Sequence, residues 1–349
     1  MKIGILTFPK AINYGTALQA VALYKLLSDR GHDVYFIDHT CEAIERDNSV
    51  FDFKSAKSPK YTAAHLLNLN IALKRKNNFN AFQSEFMRFS DAPFDSYDVV
   101  VAGSDQIWNY NLTGSDYLTY YLDFNKKNTL KVSYAGSFGL NSLDNDKKER
   151  ISSLLSDFDY LSVREKRAAD IIYELIGQKP FVALDPTLLL TSVDWRTFFK
   201  SEQTDRYIFV YTVFNDDKLW HFAEQLSKKT GLPIKTISYS KIHTHKAETD
   251  FTSGPDKWLD YMFNASYVVT NSFHGTAFSV NFHKDFYFNV PENGKAVGSR
   301  LFDLTALYGL SDRNLSLDSS PEAVNWDEVE KNLSKDREES SAFIDSFLK

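Results

Sequence analysis

The sequence predicts an α/β fold with two parallel β-sheets, each in a domain of its own. Short apolar runs rich in Val, Ile, Tyr and Phe alternate with longer helical stretches, and this alternation is typical of doubly wound folds. The runs show little apolar–polar alternation, which indicates strands buried on both faces of a parallel sheet. The chain has 349 residues, whereas a single core rarely grows beyond about 250–300 residues. We therefore expect two Rossmann-like domains.

The predicted strands fall into two groups along the chain. The first group is 3–6, 34–37, 99–102, 132–134, 161–163 and 182–184. The second group is 207–214, 234–239, 267–269 and 286–290. The clearest helix follows the first strand, where apolar residues recur at spacings of three and four: Ala17, Ala20, Val21, Tyr24 and Leu27. Gly31 is of the type that ends helices, so we expect this helix to end there.

A domain boundary is expected after the first group of strands. Asp185-Pro186-Thr187 closes the last of them, and a charged connection with aromatic residues precedes the next strand. We predict an N-terminal domain over residues 1–190, a C-terminal domain over 191–320 and a C-terminal helix over 321–349. Residues 51–90 are expected to form a helical insertion or lid of the first domain, since 51–80 lacks strand signals.

The composition excludes several classes of protein. The 40 Lys and Arg against 46 Asp and Glu give a net charge of −6, which argues against a nucleic-acid or basic membrane surface. The single cysteine, Cys41, excludes an intramolecular disulfide framework and a multi-cysteine zinc site, and it fits a reducing compartment. The sequence shows no signal peptide and no membrane span, so we expect a soluble cytoplasmic protein. His243 and His245 lack an evident third ligand, and no metal is expected.

Polar residues follow the first predicted strand, at the end where open parallel sheets bind ligands. The segment is Asn13-Tyr14-Gly15-Thr16. Thr16 is expected to cap the next helix, whose first amides would face an anion or a sugar hydroxyl. The alternative is a flexible loop with an ordinary N-cap. No G-x-G-x-x-G fingerprint of dinucleotide binding is present.

The loop after strand 99–102 has a composition that suits carbohydrate. Asp105 and Gln106 would pair with hydroxyl groups, and the indole face of Trp108 would stack on a sugar ring. The alternative is a structural loop in which Trp108 belongs to the core and Asp105 caps a helix. Small residues at 135–139, after the next strand, would leave room for a ligand.

Arg164 follows strand 161–163, and its guanidinium suits bidentate binding of a carboxylate or phosphate. The alternative is a salt bridge with a neighbouring carboxylate, for which Glu165 is the obvious candidate. A second cationic segment is the loop 292–300, which supplies Lys295 and Arg300 for anion capture. Its alternative is an ordinary mobile surface loop.

The sharpest local signal is His274, which lies where strand 267–269 turns into a helix. Histidine titrates near neutral pH and is the commonest general acid–base, although a lone histidine is more often structural. Gly275 and Thr276 follow, and their amides are expected to be open to an anion.

Taken in order, seven motifs resemble the polysaccharide pyruvyl transferase family. They are NYGTALQ at 13–19, GSDQIWN at 103–109, YAGSFG at 134–139, SVRE at 162–165, DPTL at 185–188, NSFHGTA at 271–277 and SRL at 299–301. Each is weak alone, whereas seven in order are specific for the family. The resemblance covers most of the chain.

The resemblance implies a GT-B-like fold, with the active site in a cleft between two Rossmann-like halves. It also implies transfer of pyruvate from phosphoenolpyruvate to a sugar, often as a cyclic ketal, in cell-surface polysaccharide synthesis. The partners would be this small-molecule donor and a glycan or lipid-linked sugar acceptor, without metal or organic cofactor. His274 matches the family's His-Gly as the general acid–base, and Arg164 matches its strand-end arginine.

The resemblance and the charges together predict the following sites. Donor-binding residues would be Arg164, Ser272, Lys295 and Arg300, and acceptor-binding residues would be Asn13, Tyr14, Gly15, Asp105, Gln106 and Trp108. Some family members carry an arginine two residues before the histidine, where this chain has Ser272. Two alternatives therefore stay open: a glycosyltransferase that uses a nucleotide sugar, and a catalytically silent glycan-binding protein.

Overall fold

The computed structural model describes residues 1–47, 59–201, 205–239, 245–290, 295–316 and 323–349. The chain divides into two compact units, and each contains one parallel sheet. Unit 1 comprises residues 1–48, 83–190 and 333–349, and unit 2 comprises residues 49–82 and 191–332.

The helices of the described chain are numbered in order. They are α1 (Tyr14–Ser28), α2 (Glu42–Asp47), α3 (Pro59–Phe86), α4 (Tyr110–Thr113), α5 (Asn145–Leu155), α6 (Lys166–Ile176), α7 (Pro186–Leu189), α8 (Ser192–Trp195), α9 (Asp217–Thr230), α10 (Pro255–Asn264), α11 (Phe273–Asn281), α12 (Lys295–Leu307) and α13 (Trp326–Phe347). Short 3₁₀ turns lie at Phe94–Ser96, Gly114–Tyr121, Arg196–Phe198 and Ser311–Arg313.

Unit 1 is built on a seven-stranded sheet in which all neighbouring strands are parallel. Its strands are β1 (Lys2–Leu6), β2 (Asp33–Ile37), β3 (Phe89–Ser90), β4 (Val99–Ala102), β5 (Leu130–Gly136), β6 (Tyr160–Val163) and β7 (Phe181–Val182). Their order across the sheet is β3-β2-β1-β4-β5-β6-β7. The order reverses between β1 and β4, which makes their carboxyl ends the expected place for a ligand.

Unit 2 repeats this plan with five parallel strands. They are β8 (Ile208–Tyr211), β9 (Ile234–Ile237), β10 (Glu248–Asp250), β11 (Tyr267–Thr270) and β12 (Asp285–Phe288), in the order β10-β9-β8-β11-β12. The order reverses between β8 and β11. Each unit therefore has the Rossmann strand order, and the predicted fold class is confirmed.

The continuous apolar runs predicted the central strands because those strands are buried on both faces. Every residue of β4, β8 and β9 is buried. Packing is close enough at Gly4 of β1 that a Cβ there would lie 2.8 Å from Cδ1 of Ile37.

Two strands escaped the sequence analysis. Both β3 and β10 lie at a sheet edge, and they are only two and three residues long. Edge strands need no long apolar run because one side of the strand has no neighbour. A search for apolar runs therefore cannot detect them.

Helix α3 differs from the predicted insertion of the first domain, since its residues 59–82 belong to unit 2. The Arg75 guanidinium donates to the carbonyl oxygens of Ser238, at 2.7 Å, and Phe251. It also lies 4.1 Å from the centre of the Tyr239 ring. Asn78 donates to the carbonyl oxygen of Thr252 at 2.8 Å. These contacts fasten the helix beyond the carboxyl ends of β9 and β10.

Helix α13 also differs from the prediction of a separate C-terminal segment, since residues 333–349 belong to unit 1. Ile344 and Phe347 are buried. The hydroxyl of Ser340 accepts a hydrogen bond from the amide of Leu184 at 3.1 Å, and Arg337 donates to the carbonyl oxygen of Leu188 at 2.7 Å. Among the described residues, no helix has both the length and the apolar character needed to cross a membrane.

Candidate functional site

The start of α1 lies at the switch point of unit 1, and Asn13 caps it rather than Thr16. The Asn13 side chain accepts a hydrogen bond from the amide of Thr16 at 3.1 Å. The Thr16 hydroxyl donates instead to Oδ2 of Asp105 at 2.6 Å. Tyr14 is completely buried, and Gly15 is buried as well. The structure thus corrects the expectation that Tyr14 would contact an acceptor.

Asp105 is the most unusual residue of the loop after β4. Its φ is +83°, a left-handed conformation that residues other than glycine rarely adopt. Its Oδ1 accepts a hydrogen bond from the amide of Gln106 at 2.8 Å, and its carbonyl oxygen accepts one from the amide of Ser137 at 3.0 Å. The predicted alternative of a helix cap is wrong, because Asn109 caps α4.

Gln106 lies directly against the small-residue segment after β5. Its side-chain oxygen accepts a hydrogen bond from the Asn109 amide group at 3.0 Å. A Cβ on Gly139 would come within 1.9 Å of that oxygen, and Gly139 also has a positive φ of +59°. The small residue there makes room for Gln106, a protein side chain, rather than for the ligand that the sequence suggested.

Trp108 belongs to the core of unit 1, so its predicted role as a sugar-stacking platform is wrong. It is 0% exposed. Its ring stacks on Tyr121 with centroids 5.5 Å apart and lies 5.2 Å from the ring of Phe138. The indole N–H donates to the carbonyl oxygen of Tyr120 at 3.0 Å. An indole enclosed by aromatic neighbours has no free face for a sugar, and the structural alternative is the correct one.

Arg164 lies inside unit 1, where it forms what we call the Arg164 cluster with Asp105, Glu165 and Asp185. Its side chain is 2% exposed. Its guanidinium is 2.8 Å from Asp185, 3.7 Å from Asp105 and 3.8 Å from Glu165. Burial alone would lower the pKa of Arg164, but the charges of the three carboxylates, led by Asp185, raise it.

Donor binding by Arg164 stays a prediction, and the structure places its guanidinium among three carboxylates. The alternative, a salt bridge, is what the structure shows, although the nearest carboxylate is Asp185 rather than Glu165. Asp185 is completely buried and also accepts hydrogen bonds from the hydroxyls of Thr187, at 2.7 Å, and Ser104, at 3.2 Å. These contacts explain why Asp-Pro-Thr stands at the start of α7.

In unit 2, Ser272 caps α11 at the carboxyl end of β11. Its hydroxyl accepts a hydrogen bond from the amide of Gly275 at 3.3 Å, and its carbonyl oxygen accepts one from Thr276 at 3.0 Å. The expectation that both amides would be open to an anion is therefore wrong. Gly275 is needed for packing, since a Cβ there would lie 2.4 Å from Oγ1 of Thr270.

His274 is half-buried in the first turn of α11, next to Phe273, with ring centroids 5.2 Å apart. The guanidinium of Arg300 lies 5.9 Å from the centre of the same Phe273 ring, and Arg300 is 8% exposed. The structure thus brings His274 and Arg300 to one aromatic side chain. Arg300 lies on α12 rather than on a loop, and the side chain of Lys295 falls outside the described residues.

Asn271 holds the switch point of unit 2 together. Its side-chain oxygen accepts a hydrogen bond from the amide of Val213 at 2.8 Å, and its amide group donates to the carbonyl oxygen of Phe214 at 2.9 Å. The loops after β8 and β11 are thereby joined. Sequence reasoning gave Asn271 no role of its own, and only its position directly after a buried strand could have drawn attention to it.

The predicted histidine pair offers no evidence of a metal site. His245 stacks on Trp220 with centroids 3.9 Å apart, and His243 lies outside the described residues. No group of three or more His, Cys, Asp or Glu suited to hold a metal ion occurs among the residues that the structure describes.

Two Rossmann-type units, with polar and ionisable residues at the switch point of each sheet, define the class of α/β proteins that bind ligands at strand ends. Within that class, the model of the family described as Polysaccharide pyruvyl transferase matches residues 13–288. The chain belongs to this family, and it is an enzyme of this kind. No curated protein matches the chain.

Several solved structures are similar to the chain. UDP-GlcNAc 2-epimerase from Neisseria meningitidis is 10% identical, with a TM-score of 0.48 and coverage of 100% of this chain and 99% of that one. UDP-GlcNAc 2-epimerase from Methanocaldococcus jannaschii is 14% identical, with a TM-score of 0.45 and coverage of 96% and 92%. Heptosyltransferase WaaC from Escherichia coli is 12% identical, with a TM-score of 0.42 and coverage of 96% and 100%. Likenesses this distant do not bear on the activity of this chain.

Proposed function

We propose that the protein transfers a pyruvyl group from phosphoenolpyruvate to a pair of sugar hydroxyls, as a step in the synthesis of an exopolysaccharide or another cell-surface polysaccharide. The observation that carries the proposal is the family match, which spans His274 and the switch points of both units. We place the activity in the cytoplasm, since a single cysteine fits a reducing compartment. No cofactor beyond the donor is required by the chemistry below.

The donor presents a phosphate and a carboxylate, which require cations. Arg164 is already surrounded by carboxylates. Among the predicted donor-binding residues, we favour Arg300 as the cation that binds phosphoenolpyruvate, because it lies beside Phe273 and hence near His274. Lys295 starts the same helix and remains a proposed second cation. Ser272 contributes a neutral hydroxyl in place of a charge.

His274 is proposed as the acid that protonates the methylene carbon of the donor. When a sugar oxygen adds to C2 of phosphoenolpyruvate, C3 must gain a proton, and an imidazolium is a suitable source near neutral pH. The second sugar hydroxyl then displaces phosphate and closes the ketal. On the acceptor side we retain Asp105 and Gln106, with Asn13 and Gly15 shaping the start of α1.

The test is release of inorganic phosphate from phosphoenolpyruvate in the presence of p-nitrophenyl hexosides that present neighbouring or 1,3-related hydroxyls. His274→Gln is expected to lower kcat about 10²–10⁴-fold, the usual contribution of a general acid. Arg300→Met is expected to raise the KM for phosphoenolpyruvate. His221→Gln is the matched control, since His221 lies exposed on α9 and bonds only Gln225 among the contacts described.

The outcomes separate the competing functions. Unchanged phosphate release in His274→Gln would refute the assigned role of His274. Binding of a nucleotide sugar in place of phosphoenolpyruvate would favour a glycosyltransferase. Glycoside binding without phosphate release, unaltered in His274→Gln, would favour the silent glycan-binding protein, which the neutral Ser272 keeps open as a second function.

A further inference from the structure

We propose that Arg75 binds the phosphate group of a ligand at the carboxyl end of the sheet of unit 2, and that this ligand is phosphoenolpyruvate. The phosphate site follows from the surroundings of Arg75, whereas the choice of phosphoenolpyruvate rests on the proposed function. Arg75 lies on the part of α3 that belongs to unit 2, and every residue that contacts it belongs to the same unit.

The guanidinium of Arg75 is a buried cation without a counter-ion in the described chain. Arg75 is only 4% exposed. Among the residues that the structure describes, its guanidinium contacts the carbonyl oxygens of Ser238 and Phe251 and the ring of Tyr239, and no carboxylate lies within ion-pair distance. A charge that is removed from water costs free energy, and buried charges in proteins are normally paired. The position of Arg75 therefore favours the binding of an anion.

Two other buried arginines show the usual arrangement. Arg164 lies 2.8 Å from Asp185, and Arg313 lies 3.6 Å from Asp312. Each of these guanidinium groups thus has a carboxylate of the chain beside it, as expected for a structural ion pair. Arg75 differs from both, because its contacts are neutral carbonyl groups and an aromatic ring.

The hydrogen bonds of Arg75 also leave part of the guanidinium available. An arginine side chain has five N–H groups, and the bonds to Ser238 and Phe251 both come from Nη2. Nε is buried and has no hydrogen-bond partner among the described residues. A guanidinium with donors to spare is well matched to phosphate, whose oxygens accept several charge-assisted hydrogen bonds at once.

Arg75 lies where parallel sheets bind their ligands. Its two carbonyl partners come directly after β9 and β10, so the guanidinium is at the carboxyl ends of these strands. Tyr239, which packs on the guanidinium, is 46% exposed, so this position is open toward solvent. Tyr211, the last residue of the neighbouring strand β8, is hydrogen-bonded to Ser272 at the start of α11. Arg75 and the start of α11 therefore lie along the same edge of the sheet.

Phosphoenolpyruvate is the phosphate compound that the proposed function requires. A phosphate group carries a charge of about −1.5 to −2 near neutral pH, more than a carboxylate does, so a buried guanidinium gains most by binding it. Arg75 takes part in no bond-breaking step. It holds the group that leaves as inorganic phosphate, and it stays protonated throughout because a guanidinium does not lose its proton in proteins.

The experiment is titration calorimetry of the full chain with phosphoenolpyruvate, inorganic phosphate, pyruvate and UDP. Arg75→Gln removes the charge but can still donate to a carbonyl oxygen. In this variant we expect the Kd values for phosphoenolpyruvate and inorganic phosphate to rise about 10–100-fold, the usual contribution of a hydrogen bond to a charged group. The Kd for pyruvate should not change, because pyruvate has a carboxylate but no phosphate. Arg75→Lys keeps the charge without the planar fork and should raise the same two Kd values by a smaller factor.

Asn78→Ala is the matched control. Asn78 also lies on α3 and also donates to a loop carbonyl group, that of Thr252, but it carries no charge. All four Kd values should therefore stay at their native level in this variant. Far-UV circular dichroism checks that each variant is folded, and if Arg75→Gln does not fold, Arg75→Lys decides the outcome.

Native Kd values for phosphoenolpyruvate and inorganic phosphate in the Arg75 variants would overturn the inference and leave Arg75 as an anchor of α3. Failure of the native protein to bind phosphoenolpyruvate, inorganic phosphate or UDP would overturn it as well. A rise for phosphoenolpyruvate and pyruvate, but not for inorganic phosphate, would assign Arg75 to the carboxylate and contradict the phosphate site. Arg75-dependent binding of UDP without binding of phosphoenolpyruvate would support the phosphate site and refute the proposed function instead.

Discussion

Replacing Trp108 by alanine should destabilise unit 1 rather than impair sugar binding. The side chain is 0% exposed, and a buried tryptophan covers about 200 Å². At about 25 cal/mol per Å² this area corresponds to about 5 kcal/mol, and measured losses for Trp→Ala in cores are about 3–5 kcal/mol. Trp108→Phe keeps a ring but leaves the Tyr120 carbonyl oxygen without its indole donor, at a cost of about 1–3 kcal/mol.

The assay is urea unfolding followed by far-UV circular dichroism, with Tyr173→Ala as control because Tyr173 is 59% exposed. The control should change the free energy of unfolding by less than about 0.5 kcal/mol. Native stability in Trp108→Ala together with weakened glycoside binding would refute the reasoning, since it would mean that the indole faces the ligand.

Gly136 supplies a sharper version of the same test. A Cβ at Gly136 would lie 3.1 Å from Cη2 of the Trp108 indole, so Gly136→Ala should cost about 1–3 kcal/mol by overpacking. In the double variant with Trp108→Ala the clash disappears. The loss of stability in the double variant should therefore be smaller than the sum of the losses in the two single variants. Strict additivity would show that the two positions are not in contact.

Two further predictions concern unit 2. Burial, followed by the charge of Asp250, raises the pKa of Tyr261 to about 12, whereas an unfolded tyrosine titrates near 10. The stability that Tyr261 contributes is therefore fully present below about pH 10 and is lost as the pH rises toward 12. The urea midpoint of Tyr261→Phe should fall less steeply with pH than that of the native protein over this range. Equal falls in the two midpoints would contradict the raised pKa of Tyr261. Arg75→Met should lower the stability of unit 2 by about 1.5–3 kcal/mol per lost charge-assisted hydrogen bond. The measurement is urea unfolding, with Arg88→Met as the control, because the ion pair of Arg88 with Asp33 lies exposed at the surface and should contribute little. Equal losses in Arg75→Met and Arg88→Met would mean that α3 is not fastened to unit 2 by Arg75.

The central strands and the α/β class could be predicted because burial on both faces leaves a local record. Every residue of β4 and β8 is apolar and buried, so the sequence of each strand predicts it without information from distant parts of the chain. The assignment of α3 to unit 2 could not be predicted in this way. That assignment depends on the carbonyl groups of Ser238 and Phe251, which Arg75 contacts and which lie 163 and 176 residues further along the chain. No local sequence pattern encodes such distant partners.

The residues of the candidate site also differ in whether local sequence could predict their surroundings. The position of His274 after β11 followed from a strand-to-helix turn, which is local. The enclosure of Arg164 did not, because Asp185 and Asp105 approach it through the parallel pairing and bridging of separate chain segments. Trp108 shows the limit most clearly: an indole in a polar loop is equally compatible with a sugar platform and a core anchor, and only the positions of Tyr121 and Phe138 decide between them.

Ser272 occupies the position at which some members of the family carry arginine. Its contacts show what a serine in place of an arginine changes. The serine hydroxyl accepts from the amide of Gly275, which an arginine side chain cannot do because it has only donors. A hydroxyl cap contributes about 1 kcal/mol to helix stability relative to a residue that cannot cap. This chain therefore has a better-capped α11 beneath His274 and one cation fewer beside it. If the donor is phosphoenolpyruvate, as proposed above, we expect Arg300 on α12 to meet part of its negative charge.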